Sequence, residues 1–77
     1  MRKIEILGMG CSKCNQLTER TNEAVKDLGI EAEVAKVQDI RTIAEYGVLV
    51  TPALVVDGVV KVAGKVPKVE EIKKWIE

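Results

Sequence analysis

The period with which apolar residues recur changes several times along the chain, and each change marks a predicted element. Residues 2–7 alternate in polarity, which predicts a strand. Over residues 12–28 apolar positions recur every three or four residues among charged ones, which predicts an amphipathic helix that ends at Gly29. Residues 31–37 alternate again, so a second strand is expected there.

A short helix is predicted next, because Asp39 is a typical capping residue and Gly47 a typical stop. Its apolar face is expected to consist of Ile40, Ile43 and Ala44.

The last third of the chain predicts a hairpin followed by a helix. Residues 53–56 and 59–63 are rich in β-branched residues and are joined by the tight-turn pair Asp57-Gly58. A final helix is expected after Pro67, with acidic residues in its first turn. Its apolar positions are Val69, Ile72, Trp75 and Ile76.

The predicted order is therefore βαβαββα, in a single domain of residues 1–77. When a strand, a helix and a parallel strand follow one another, the crossover is right-handed and the first strand lies inside the sheet. The loop of residues 8–14 then lies at the C-terminal end of the first strand. Active sites of parallel α/β units gather at that end.

The overall charge argues against nucleic acid or an anionic membrane as partner, because 12 Lys and Arg balance 12 Asp and Glu. No run approaches the ~18 apolar residues of a membrane span. Residues 1–5 look like a charged strand start, not a secretory leader. A cytoplasmic location is expected, and a lone cysteine pair in that reducing compartment points to redox or metal chemistry.

Cys11 and Cys14 lie two residues apart where the first strand gives way to the helix, and the chain has no other cysteine. The exposed amides and the dipole at a helix N-terminus favour a thiolate, so we expect a lowered pKa for Cys11. Lys13 adds a nearby positive charge. Cys14 falls on the apolar stripe of the helix. We therefore predict that Cys11 is the nucleophile and that Cys14 resolves the mixed disulfide.

Two other interpretations of the pair stay open. Both cysteines could be small core residues. Alternatively, Met9 with Cys11 and Cys14 fits the MxCxxC pattern of heavy-metal-associated domains, and two thiolates suit Cu(I) or Zn(II). The local motif does not separate redox from metal chemistry. Those metal-binding domains run βαββαβ and finish on a strand, whereas the order predicted for this chain finishes on a helix.

Taken whole, the chain resembles the thioredoxin-like superfamily, in particular its small thioredoxin- and glutaredoxin-like redox-active disulfide proteins. The motifs that carry the resemblance are the strand leading to residues 10–14, Thr51-Pro52 before a strand, the Asp57-Gly58 hairpin, and Gly64 before the last helix. The resemblance implies an α/β thioredoxin-like fold with a four-stranded mixed sheet of order 2-1-3-4 and helices on both faces.

The resemblance also implies roles for residues outside the cysteine motif. Pro52 would be cis and face the cysteines, Thr51 would offer its backbone to an incoming peptide, and Gly64 would allow close approach of backbone there. An ordinary trans turn proline and a plain turn glycine are the alternatives. Glu5, six residues before Cys11, stands at the offset of a buried proton-relaying acid, or is a half-exposed strand residue.

The function implied is that of a thiol–disulfide oxidoreductase that needs no bound cofactor or metal. It would carry two electrons from a flavin-dependent, thioredoxin reductase-type protein to target protein disulfides, and it is expected to act as a monomer. Thioredoxins carry Trp before the first cysteine and Gly-Pro between the two, whereas this chain has Gly10 and Ser12-Lys13. These departures leave the redox potential and the choice of partner open.

Overall fold

The computed structural model describes residues 2–8 and 12–77, and its elements follow the predicted order. They are β1 (Arg2–Leu7), α1 (Ser12–Leu28), β2 (Ala32–Val37), α2 (Ile40–Glu45), β3 (Ala53–Val56), β4 (Val59–Ala63) and α3 (Val69–Ile76). β2 begins one residue later than predicted. No helix within these ranges is both long enough and apolar enough to cross a lipid bilayer.

The four strands form one mixed sheet in the order β2-β1-β3-β4, as the resemblance implied. β1 pairs with β2 in parallel and with β3 antiparallel, and β3 pairs antiparallel with β4. β1 and β3 are thus the central strands. Every residue of β3 is buried, because neighbouring strands and helices cover it on all sides.

Helices cover both faces of the sheet, because successive strand residues send their side chains to opposite sides. The first face packs against α1 and α3; its buried residues are Ile4, Ile6, Leu17, Ala24, Leu54, Val56, Ile72 and Ile76. The second face packs against α2; its buried residues are Leu7, Ile43, Val48, Ala53 and Val55. The predicted two-sided α/β architecture is confirmed.

The buried stripe of α1 follows the predicted three- and four-residue steps and consists of Cys14, Leu17, Thr21 and Ala24. The hydroxyl of Thr21 donates a hydrogen bond of 2.8 Å to the carbonyl of Leu17, which satisfies the one buried hydroxyl on this stripe. The helix ends at Gly29, whose φ of 64° is left-handed, as predicted.

The three residues of the predicted apolar face of α2 line one surface groove, but only one of them is buried. Ile43 is buried, but Ile40 is 70% exposed and Ala44 is exposed as well. A six-residue helix makes fewer than two turns, so it reaches the sheet at one point only. The predicted cap is present, since the Asp39 carboxylate accepts a hydrogen bond of 2.9 Å from the amide of Arg41.

Helix α3 is fastened to α1 at both of its ends. Before α3 begins, the guanidinium of Arg20 donates to the carbonyls of Val66 and Pro67 at 3.3 and 3.1 Å. Near its end, Lys73 forms an ion pair of 3.2 Å with Asp27. Of the predicted apolar positions, Ile72 and Ile76 are buried, and Val69 and Trp75 pack half-buried against the core.

The β3–β4 hairpin turns at Asp57 and Gly58, whose φ values of 50° and 84° suit the predicted two-residue turn. The Asp57 carboxylate accepts hydrogen bonds from the amide of Lys3 at 3.0 Å and from the guanidinium of Arg2 at 2.7 Å. These bonds, that from Lys3 first, lower the pKa of Asp57 below its ordinary value of 3.8. The turn is therefore tied to the start of β1.

We expect Asp57→Asn to remove a pH-dependent part of the stability, because asparagine tolerates the positive φ but carries no charge. A lowered carboxyl pKa stabilises the folded state fully above the ordinary value of 3.8, and the contribution is lost as the pH falls through the lowered value. The Tm difference between the two proteins, followed by circular dichroism, should shrink as the pH falls below about 4. A constant difference down to pH 2 would contradict the assignment.

Candidate functional site

The candidate site lies at the C-terminal end of β1, where Gly8 meets helix α1 and the loop before β3. A β-carbon added to Gly8 would collide with Cys14 Sγ, and it would lie 3.3 Å from Cys14 Cβ and 4.0 Å from Pro52 Cα. Cys14 is 5% exposed and Pro52 is buried. Three elements thus bring a thiol and a proline together around one glycine.

The structure locates only part of the predicted cysteine motif. Cys14 lies on the buried stripe of α1, as predicted. Cys11, the predicted nucleophile, lies outside the described residues, as do Met9 and Gly10. Lys13 is exposed in the first turn of α1.

The peptide bond between Thr51 and Pro52 is cis, which confirms that prediction. Thr51 is half-buried at the edge of the site. The carbonyl of Pro52 accepts a hydrogen bond of 2.8 Å from the amide of Gly64, so the start of β3 is held to the end of β4.

Gly64 packs against the segment that leads to Thr51 and Pro52, and its expected role in letting backbone approach the site stays a prediction. Its φ of 77° is left-handed, and a β-carbon there would lie 2.9 Å from Cγ1 of Val50. A larger residue would therefore meet both backbone strain and a steric clash. The approach brings Gly64 against the residue two positions before Pro52, next to the predicted peptide-docking backbone of Thr51.

Apolar side chains surround Thr51 on the surface, and the sequence did not reveal them. Leu49 is 97% exposed and Val50 58% exposed, although they belong to an apolar run. Leu49 borders a groove of about 300 Å³, lined by Ile40, Ile43, Ala44, Val48, Leu49 and Thr51. One sign in the sequence is that Thr51-Pro52 interrupts the apolar run of residues 48–50, so that this run does not continue into β3.

The structure does not bring Glu5 together with Cys14. Glu5 lies opposite Val55 on β3, and directly opposed residues share a face of the sheet. Val55 belongs to the core against α2, whereas Cys14 lies on α1, on the other face. The phenol of Tyr46, at the end of α2, donates a hydrogen bond of 2.7 Å to the Glu5 carboxylate. The proton-relay role of Glu5 stays a prediction.

Sequence reasoning missed the hydrogen bond between Tyr46 and Glu5, because the two residues are 41 positions apart in the chain. The hydrogen bond to Glu5, then desolvation and the nearby carboxylates, raise the pKa of Tyr46 above its ordinary value of 10.0. The bond fixes the end of α2 to the central strand β1. The loop that carries Thr51 and Pro52 starts from this fixed point.

The described residues bear on the metal alternative only in part. Residues 2–8 and 12–77 hold no cluster of three or more His, Cys, Asp or Glu side chains placed to bind an ion. Two of the three MxCxxC residues, Met9 and Cys11, fall outside these ranges. The observed topology differs from that of heavy-metal-associated domains, because α2 follows β2 and the last element is α3.

A central β1, a buried cysteine beside a cis-proline and helices on both faces define a thioredoxin-type fold. A family model for the thioredoxin domain matches residues 2–77, so the chain belongs to the thioredoxin family, a class of thiol–disulfide oxidoreductases. Over 74 residues, 96% of this chain, it is 52% identical to a thioredoxin of Methanocaldococcus jannaschii, of which it covers 85%. It is 47% identical to a thioredoxin of Methanothermobacter thermautotrophicus over 74 residues, 96% of each chain.

We expect Tyr46→Phe to lower the Tm by a few degrees, because Glu5 loses its donor. Glu5→Gln should cost less, since an amide oxygen still accepts from the phenol. The raised phenol pKa contributes fully to the stability of the folded state below pH 10.0, and this contribution is lost as the pH rises through the raised value. Tyr46→Phe has no phenol, so its Tm should not show this loss.

The same two variants test the proton relay. If Glu5 acts only by holding Tyr46, the pH profile of disulfide exchange is the same in Glu5→Gln and in the wild type, and this is the result we expect from its place on the α2 face. A profile shifted by Glu5→Gln but not by Tyr46→Phe would instead support the relay.

Proposed function

We propose that this chain reduces disulfide bonds of target proteins by cycling Cys11 and Cys14 between dithiol and disulfide. The observation that carries the proposal is the burial of Cys14 against Gly8, beside Thr51 and Pro52, in a chain of the thioredoxin family. A cytoplasmic location and a monomeric state, both predicted from the sequence, belong to the same proposal.

The reaction transfers two electrons in two thiol–disulfide exchanges. The Cys11 thiolate attacks one sulfur of the target disulfide, the target bond breaks, and the released target thiolate takes up a proton. Cys14 then loses its proton and attacks the Cys11 sulfur of the mixed disulfide. A Cys11–Cys14 bond forms, the second target thiolate leaves and is protonated, and the target is reduced. A flavin-dependent, thioredoxin reductase-type protein then supplies two electrons, which reduce the Cys11–Cys14 disulfide to two thiols again.

The first step depends on ionisation of Cys11. The start of α1 supplies exposed amides and the positive end of a helix dipole, and Lys13 in the first turn adds a charge. The second step depends on a sulfur that reaches Cys11 but is kept from other disulfides. Burial of Cys14 to 5% exposure supports that division of labour.

The target is proposed to dock along Thr51. Thr51 offers its backbone to an extended peptide, and Gly64 packs closely against the neighbouring Val50, where a β-carbon would lie 2.9 Å from Cγ1. Exposed Leu49 and Ile40 supply apolar contact next to this backbone. An exposed apolar patch beside a reactive centre favours a polypeptide partner over a small polar one.

The main test is catalytic reduction of insulin by metal-free protein, with dithiothreitol or a flavin-dependent thioredoxin reductase as electron donor. Turnover is expected in the wild type, none in Cys11→Ser, and a trapped mixed disulfide in Cys14→Ser, seen by mass spectrometry under non-reducing conditions. A fully active Cys11→Ser protein would refute the assigned roles. Stoichiometric uptake of Cu(I) or Zn(II) without turnover would support the metal-binding alternative in place of the proposal.

Docking is tested by Leu49→Ser, with Val59→Ser as the matched control. Both side chains are exposed and apolar, at 97% and 55%, but Val59 lies by the hairpin turn at the other end of the sheet. We expect Leu49→Ser to raise KM for insulin about fivefold, which corresponds to about 1 kcal/mol of lost apolar contact. The rate with the small disulfide 5,5′-dithiobis(2-nitrobenzoate) should not change. An equal effect of the two variants would argue against this docking surface.

A further inference from the structure

We infer that Gly8 is a positioning residue for Cys14: the bare backbone at the end of β1 sets where the Cys14 sulfur lies and therefore how fast it resolves the mixed disulfide. The kinetic half of this inference rests on the proposed function. The packing half does not.

Space, and not backbone conformation, explains glycine at this position. Within the described residues, the glycines with positive φ are Gly29, Gly47, Gly58 and Gly64. Gly8 is not among them, so any residue could adopt its backbone angles. What distinguishes Gly8 is its neighbour, because an added β-carbon would overlap Cys14 Sγ.

Both sides of this contact are held in place. The amide of Gly8 donates a hydrogen bond of 3.0 Å to the carbonyl of Val37, which continues the pairing of β1 with β2. On the helix side, the Thr18 hydroxyl donates to the carbonyl of Cys14 at 2.9 Å, and Leu17 in the next step of the stripe is fully buried. The backbone of Gly8 and the backbone of Cys14 cannot move apart without breaking these hydrogen bonds or disturbing the packing of Leu17.

The sulfur also has little room to retreat. The crevice beside it measures about 10 Å³ and is lined by Ile6, Gly8, Cys14, Asn15, Thr18, Lys36 and Gln38. A volume of that size holds about one water molecule at most, so a displaced sulfur does not fit without opening the packing between α1 and β2. A methyl group on residue 8 would therefore displace the Cys14 sulfur from its position in the site.

Displacement matters because resolution is an intramolecular attack. The Cys14 thiolate must approach the Cys11 sulfur in line with the Cys11–target bond, and a misplacement of about 1 Å costs such reactions up to about 100-fold in rate. The first exchange does not use the Cys14 sulfur, which is the atom that Gly8 positions. Gly8 is therefore expected to affect the second exchange and to leave the first unchanged.

The packing half is tested by a double-mutant cycle in thermal unfolding, using Gly8→Ala, Cys14→Ala and the double variant. Gly8→Ala should lower the Tm by roughly 5–15 °C when the sulfur is present, and by far less in the Cys14→Ala background. If Gly8→Ala does not fold, the test still applies, because folding should return in the double variant. An equal loss in both backgrounds would overturn the inference.

The kinetic half is tested by stopped-flow reaction of reduced protein with 5,5′-dithiobis(2-nitrobenzoate). Attack by Cys11 breaks the reagent's disulfide and releases one thionitrobenzoate, and attack by Cys14 on the Cys11 sulfur releases the second and closes the Cys11–Cys14 bond. In Gly8→Ala the first phase should keep its rate, and the second should slow about 10- to 100-fold. An unchanged second phase would contradict the kinetic role.

Gly58→Ala is the control for lost stability. Gly58 has a φ of 84° and nothing within 4 Å of an added β-carbon, so alanine there strains the backbone far from Cys14. It should lower the Tm and leave both kinetic phases unchanged. If the wild type itself shows no second phase, the proposed function fails, whereas the unfolding cycle still decides the packing half.

Discussion

The contact between the Cys14 sulfur and the backbone of Gly8 is the constraint on which the site depends. Gly8 follows β1 where the start of α1 packs against the sheet, and a β-carbon there would overlap the Cys14 sulfur, so one of the two would have to shift. The rest of the fold keeps that approach in register. β1 is central and paired on both edges, while α1 is fixed by a fully buried stripe and by α3, which Arg20 and Asp27 hold against it.

The two faces of the sheet have different tasks. The face that carries α1 and α3 holds Cys14 and the larger core. The face that carries α2 holds a smaller core, together with the hydrogen bond between Glu5 and Tyr46. Glu5, six residues before Cys11, therefore lies on the other face of the sheet from Cys14, and its proton-relay role stays a prediction. The side chains of Glu5 and Ile6 point to opposite faces because they are successive residues of β1, and Ile6 lies on the face of α1.

Local patterns predicted most of the fold. Changes of period located β1, α1 and β2, while Asp39 and Gly47 bounded the short helix. Asp57-Gly58 located the hairpin, because only a few residue pairs tolerate two positive φ values. Resemblance, not pattern, supplied the cis-proline. What the sequence could not reveal depends on distant packing. The hydrogen-bond partner of Glu5 lies 41 positions away, and Ile40 and Leu49 are apolar residues that are exposed in the fold. Whether an apolar residue is exposed depends on which residues pack around it in the fold, and composition does not reveal that packing.

The segment that presents Leu49 is clamped at both ends. Tyr46 fastens it to β1 on one side, and on the other the Pro52 carbonyl is bonded to Gly64, which lies tightly against Val50. A surface held in this way has already given up most of its conformational entropy during folding. Association with a partner then costs less ordering than it would for a loosely tethered loop. In a domain this small, rigidity of the proposed docking surface comes from attachments at its two ends, so a substitution at Tyr46 would alter that surface without lying on it.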